Sequence, residues 1–204
     1  MQKIYRIPEL DALRGITAIA VILFRYTMHH NDTFSELLHF GSIGIDLFFI
    51  LSGYTTFRAA IRVSNGSDFV TGRIARLYPA YWFAVTIYVF LQLGFCAIDP
   101  SLALAVQYAA NVTLLQSLFG EKNIDAVYWI LLVVLMFYAV IGVLIKAKLL
   151  KRIDQITSIA LPLLFIYGAF GADYMGVWPV RIQRFATLVE LFPLFLAGIL
   201  FYKL

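Results

Sequence analysis

The sequence predicts an all-α integral membrane protein, a bundle of about six transmembrane helices with one interfacial or re-entrant segment. The first observation is the composition: of 204 residues, 62% are hydrophobic and 14% are charged, whereas soluble domains are about 45–50% apolar and about 25% charged. The second is that apolar runs of spanning length recur along the chain. The third is that Lys and Arg collect between alternate runs. We expect one membrane domain over residues 1–204, with no soluble domain and no internal repeat.

The order of the spans follows from the apolar runs and from the cations between them. The spans are predicted at about 10–28, 41–61, 77–98, 126–145, 156–174 and 187–203. The segment 101–119 is only moderately apolar, because it contains Gln107, Asn111 and Gln116. If this segment does not cross, one side of the membrane receives most of the cations: Lys3, Arg6, the arginines of 58–76, the cations of 146–152 and Lys203. The positive-inside rule therefore favours six spans, a cytoplasmic N-terminus and an interfacial or re-entrant 101–119.

The charge and the metal-ligand content argue against other classes of protein. A net charge of +4 in so apolar a chain is a matter of membrane topology and is no evidence for nucleic-acid binding. One cysteine excludes an internal disulfide framework. The spacing of the three histidines, His29, His30 and His39, is not a ligand motif, so no metal site is expected. The chain stops directly after its last apolar run, which suggests that it is cut short.

The first span carries two arginines in an apolar setting. Arg14 and Arg25 are eleven residues apart, which is three helical turns plus about 20°, so they share one face. His29 lies one turn beyond Arg25 on that face, where a neutral imidazole could act as a general base. Charges inside a membrane are costly and usually face a bundle interior or a wet cavity, so we interpret the arginines as functional. The alternative is that both are anchors that reach the headgroups.

The second span places an acid among apolar residues. Asp46 needs a partner there, and Arg14 or Arg25 on the preceding helix is the obvious candidate. Ser52 and Gly53 follow in the same span and are small enough to permit close helix approach. Taken alone, this small pair indicates packing rather than catalysis.

Two further arginines lie at the start of the third span. Arg73 and Arg76 are three residues apart, so on a helical turn they share a face at the cytoplasmic boundary. Two guanidinium groups presented together suit a phosphate or a pyrophosphate. Determination of topology or contact with lipid headgroups is an equal alternative. At the start of the fourth span, Tyr128 and Trp129 are typical of interfacial aromatic anchors.

Taken together, these stretches resemble the acyltransferase-3 family of membrane O-acyltransferases. The matching motifs are LDALRGITAIAVILF at 10–24, GIDLFFILSGY at 44–54, GRIARLYPAYW at 72–82 and IDAVYWILLVVLMFY at 124–138. They occur in the family's order, and ATLVELFPLFLAGILFY at 186–202 is a weaker match. The ordered set is specific, although no single motif is decisive.

The resemblance implies a reaction and its participants. The co-substrate would be an acyl-CoA, expected to be acetyl-CoA, approached from the cytoplasm, with no bound cofactor. The acceptor would be a hydroxyl of a sugar, a glycan or a small molecule, and the chain would lie among the lipids of a bacterial inner (plasma) membrane. Arg73 and Arg76 would meet the donor phosphates, and Arg14 would line the acyl-transfer path. The cavity would be lined by Ser52, Gly53 and Trp129.

Two positions depart from the family's pattern. The family's first span has an arginine, ten residues and then a histidine that serves as the base; from Arg14 this count reaches Arg25. An arginine stays protonated and accepts no proton. The family's fourth-span motif has a glutamate five residues after the tryptophan, where this chain has Val134. His29 could compensate for one loss, but the loss of both groups points towards an inactive or repurposed member.

Two other functions remain open at the level of sequence. One is a non-catalytic membrane protein of this descent that docks another protein or a lipid. The other is a small transporter built around Asp46, Arg14, Arg25 and Glu190, although repeated halves, which would favour it, are not visible.

Overall fold

The computed structural model of the protein describes residues 8–27, 41–95, 102–114, 116, 124, 128–174 and 191–204. Within these ranges the regular structure is helical and no strand occurs, so the all-α prediction is confirmed for this part of the chain. The helices, in chain order, are α1 Pro8–Thr27, α2 Gly41–Ala60, α3 Gly66–Phe95, α4 Leu102–Val112, α5 Tyr128–Lys146, α6 Ile153–Tyr174 and α7 Phe192–Lys203, and a 3-10 helix at Leu149–Arg152 precedes α6.

Each predicted span overlaps one of these helices, and the largest difference among the described residues is at the start of α3. The span was expected from residue 77, but the helix begins at Gly66. Asn65 explains this start, because its Oδ1 accepts a hydrogen bond of 3.1 Å from the backbone N–H of Ser67, as an N-cap residue does. Asp68 adds a negative charge to the first turn, where the helix dipole favours it. Arg73 and Arg76 therefore lie within a long helix and not in a loop before one.

Two of the described helices are long and apolar enough to cross a membrane by length and composition, Gly66–Gly94 and Tyr128–Lys146. Large apolar side chains on the surface agree with lipid contact: Phe90 on α3 is 74% exposed and Phe165 on α6 is 73% exposed. Exposed apolar surface of this kind is typical of a membrane or protein interface. The count of six spans stays a prediction.

The doubtful segment 101–119 contains α4, which has 11 residues. A helix of that length rises about 16 Å, roughly half the thickness of the apolar core of a bilayer. Three side chains of α3 donate hydrogen bonds to backbone carbonyls at the C-terminal end of α4: the Tyr81 hydroxyl to Asn111 (2.6 Å), the Trp82 indole to Val112 (3.0 Å) and the Tyr78 hydroxyl to Thr113 (2.8 Å). The Asn111 carbonyl also accepts a bond of 2.9 Å from the Leu114 backbone N–H. The last carbonyls of a helix have few partners within it, so the three side-chain bonds add donors there and fix α4 to α3.

The chain forms two compact units, one of Met1–Arg58 with Leu191–Leu204 and the other of Ala59–Glu190. In the first unit, α2 crosses α7 at two glycines. A Cβ added to Gly53 would collide with the backbone carbonyl of Phe195, and one added to Gly198 would collide with that of Ile50. The predicted role of Gly53 in close helix packing is therefore visible in the backbone. The prediction of one domain over 1–204 stays a prediction.

Candidate functional site

A glycine crossing in the second unit sets the distance between α3 and α5. A Cβ added to Gly66 would collide with the carbonyl of Gly142, and one added to Gly142 would collide with a methyl group of Val70. The two backbones thus touch, as small residues allow at helix interfaces in membranes. Side chains one turn from this crossing, on either helix, are consequently brought face to face.

The first pair beyond the crossing is aromatic. Phe69 lies three residues after Gly66, and Tyr138 lies four residues before Gly142. Their rings meet edge to face, with centroids 6.5 Å apart and an angle of 89° between the ring planes. Both residues are buried, at 4% and 5% exposure. Edge-to-face contact is a favoured geometry for two aromatic rings.

Arg73 lies one turn beyond Phe69 and rests on both rings. Its Cζ is 5.5 Å from the centroid of the Phe69 ring and 5.6 Å from that of the Tyr138 ring. Both distances are within the range of cation–π attraction. The residue is half-buried, whereas Arg76, one further turn along the same helix, is exposed. The predicted arginine pair therefore consists of one guanidinium held on rings and one that faces outwards.

Of the other predicted residues of the second unit, Glu190 lies outside the described residues, and the rest lie on α5. Trp129 is half-buried in the first turn of the helix. The neighbouring Tyr128 ring packs against the Tyr81 ring, with centroids 5.1 Å apart. Val134 is buried, at 3% exposure, on the same helix between Trp129 and Tyr138. An apolar side chain thus occupies the position at which the resemblance led us to expect a glutamate.

The first unit holds the other predicted residues. Arg14 is half-buried on α1, and its carbonyl accepts a hydrogen bond of 2.9 Å from the Thr17 hydroxyl. Arg25 belongs to α1, but its side chain and the whole of His29 lie outside the described residues. Asp46 is exposed on α2. The predicted pairing of Asp46 with Arg14 or Arg25 stays a prediction.

Ser52 precedes the glycine crossing of α2 and α7. The residue is buried, at 1% exposure, and within the described ranges its Oγ has no hydrogen-bond partner. A buried hydroxyl of this kind is costly unless a partner satisfies it. Its predicted place in a cavity wall stays a prediction.

Among the described residues, no three His, Cys, Asp or Glu side chains are arranged to hold a metal ion. The three histidines lie outside the described ranges. The prediction that there is no metal site therefore stays a prediction.

Sequence reasoning missed Phe69 and Tyr138 and the glycines that bring them together. Nothing local marks Phe69 in so aromatic a chain, and Tyr138 appeared only inside a matched motif. The three aromatic donors that hold α4 could have been found, since Tyr78, Tyr81 and Trp82 have the i, i+3, i+4 spacing of a single helix face.

The fold and these residues define a helical protein with two helices long and apolar enough to cross a membrane and a pair of arginines, of which Arg73 lies over two aromatic rings. The chain matches the model of the acyltransferase-3 family, described as an acyltransferase domain, over residues 7–204. It belongs to that family, so the resemblance inferred from the motifs is confirmed. No curated protein and no solved structure matches the chain. Membership indicates a membrane-embedded acyltransferase.

Proposed function

We propose that this chain is an acyl-CoA-dependent O-acyltransferase of the membrane that has kept its donor site and lost its usual general base. The carrying observation is the arginine pair on α3, with Arg73 held over two rings and Arg76 exposed one turn away. Guanidinium groups bind phosphate through paired N–H bonds. The phosphates of coenzyme A are the part of the donor that such a pair would recognise.

The reaction requires a base for the acceptor. The hydroxyl oxygen of a sugar, glycan or small molecule attacks the thioester carbonyl, the C–O bond forms, the C–S bond breaks, and coenzyme A leaves as the thiol. The proton of the hydroxyl must pass to a base, which typically contributes about 10²–10⁴-fold to the rate. Arg25 cannot accept this proton, because its guanidinium group stays protonated. The side chain of the buried Val134 has no atom that could accept a proton. We therefore propose slow transfer, with His29 the first candidate for a substitute base.

The donor site is tested by charge reversal. Coenzyme A binding to the detergent-purified chain is measured by calorimetry for the unaltered protein and for Arg73→Glu with Arg76→Glu. We expect the double change to abolish measurable binding. The matched control reverses two exposed cations elsewhere, Arg62→Glu with Arg152→Glu, and should bind as the unaltered protein does. Equal binding by all three proteins would remove the proposed donor site.

The proposed loss of the general base is tested by restoring the residues that the family resemblance predicts at the two changed positions. Turnover of acetyl-CoA is compared for the unaltered chain, Arg25→His, Val134→Glu and the double change, each checked for folding by its melting curve. Activity confined to the double change would support a disabled enzyme with an intact donor site. Activity in the unaltered chain would show that another group serves as the base, and His29→Ala would then identify or exclude His29.

Inactivity of all four folded proteins would contradict the enzymatic proposal. Binding of coenzyme A without turnover would favour the non-catalytic membrane protein of the same descent. Uptake of substrate into proteoliposomes along a gradient would instead favour the transporter.

We also propose an N-terminus in the cytoplasm and residence in a bacterial inner membrane. The distribution of cations supports this orientation. Because Cys96 is the one cysteine, Cys96→Ser gives a background for single reporter cysteines. In spheroplasts, Asp32→Cys should react with an impermeant maleimide, whereas Lys148→Cys should react only after permeabilisation. The reverse pattern would invert the proposed topology.

A further inference from the structure

The rings of Phe69 and Tyr138 lie where they can fix the position of a cation. Both are buried, at 4% and 5% exposure, and their mutual angle of 89° is set by contact with each other. The touching backbones of Gly66 and Gly142 hold the helices that carry them. Burial and mutual contact thus hold both rings beside the guanidinium group of Arg73.

An arginine gains from such a support because its side chain is long. A free arginine side chain samples many rotamers, and this freedom is lost when it binds a ligand. Contact with two ring faces, at 5.5 Å and 5.6 Å, removes part of that freedom before any ligand arrives.

We propose that Phe69 and Tyr138 are positioning residues that hold the guanidinium of Arg73 for the phosphate groups of the acyl donor. This role rests on the function proposed above. Arg76, exposed one turn away, supplies the second cation of the pair without such support. The two arginines therefore differ in role: Arg73 is pre-organised, and Arg76 orders when the phosphates bind.

The test is a double-mutant cycle on coenzyme A binding, measured by calorimetry with the detergent-purified full chain. Phe69→Leu and Tyr138→Leu are each made in the unaltered chain and in an Arg73→Ala background. We expect each ring change to raise the Kd about 3- to 10-fold when Arg73 is present. Neither should have a further effect when Arg73 is absent, because the rings act through it.

Two controls separate positioning from loss of fold. Tyr138→Phe keeps the ring and should bind as the unaltered chain does. Phe57→Leu removes a buried ring of the first unit, 2% exposed, and should lower the melting temperature without changing the Kd.

The outcomes distinguish this role from the function on which it rests. No binding of coenzyme A by the unaltered chain would overturn the proposed donor site and the positioning role together. Binding that Arg73→Ala leaves unchanged would overturn the positioning role, and so would an equal weakening by the ring changes in both backgrounds. Loss of binding in Tyr138→Phe would show that the hydroxyl acts in place of the ring face.

Discussion

The crossing of α3 and α5 makes Gly66→Ala a demanding test of the structure. The added Cβ would meet the backbone carbonyl of Gly142, which cannot turn aside as a side chain can. The helices would have to separate by about 1 Å before this contact became ordinary, and overpacking of this kind typically costs about 1–3 kcal/mol, sometimes more. The separation would also loosen the contact of Phe69 with Tyr138, so we expect a loss of stability of about 2–4 kcal/mol.

Two other glycines supply the comparison. At Gly142 the added Cβ would meet a methyl group of Val70, which can give way only by leaving the χ1 rotamer that a β-branched side chain prefers in a helix. Gly142→Ala should therefore also be destabilising, though less than Gly66→Ala, where the obstacle is backbone. At Gly72, also on α3, nothing lies within 4 Å of an added Cβ. Gly72→Ala should therefore stabilise the helix by about 0.5–1 kcal/mol, since alanine restricts the unfolded chain.

Stability is measured by SDS titration of the protein in mixed micelles, with helix content followed by circular dichroism. The expected order of stability is Gly72→Ala, the unaltered chain, Gly142→Ala and then Gly66→Ala. Coenzyme A binding is measured on the same samples, and Gly66→Ala should weaken it through Arg73. If Gly66→Ala proved as stable as Gly72→Ala, the close crossing would be wrong, and the ring geometry inferred from it would lose its basis.

Two further changes test local features of the second unit. Tyr81→Phe removes a hydrogen bond of 2.6 Å to the carbonyl of the buried Asn111 and should lower the stability by about 1–2 kcal/mol. The control is Tyr88→Phe, which should cost clearly less, because the Tyr88 hydroxyl accepts a hydrogen bond from its own helix. Equal losses of stability in the SDS titration would contradict the attachment of α4 to α3. Lys148 has a φ of 58°, a conformation that favours glycine, so Lys148→Gly should stabilise by about 1 kcal/mol. Lys146→Gly, at the last residue of α5, should do the opposite, and melting curves in which both changes destabilise would exclude strain at Lys148.

The sequence alone was sufficient for the bounds of three helices, because their signals are local. The apolar runs predicted α1, α2 and α5 to within two residues at each end, and Asn65 with Asp68 contains the capping signal that places the start of α3. The span prediction for α3 began too late, since hydropathy responds to the cations of 58–76 and not to the N-cap. Family membership also followed from the sequence, since the ordered motifs are linear patterns.

Only the tertiary structure decided which helix faces meet. The spacing of Arg73 and Arg76 predicted a shared helical face, but it gave no sign that one guanidinium would rest on rings and the other would be exposed. That difference depends on Tyr138, which lies on another helix, and on the contact of Gly66 with Gly142 that brings the helix near. Helical periodicity shows which residues of one helix share a face, whereas the partner of that face depends on packing between distant segments.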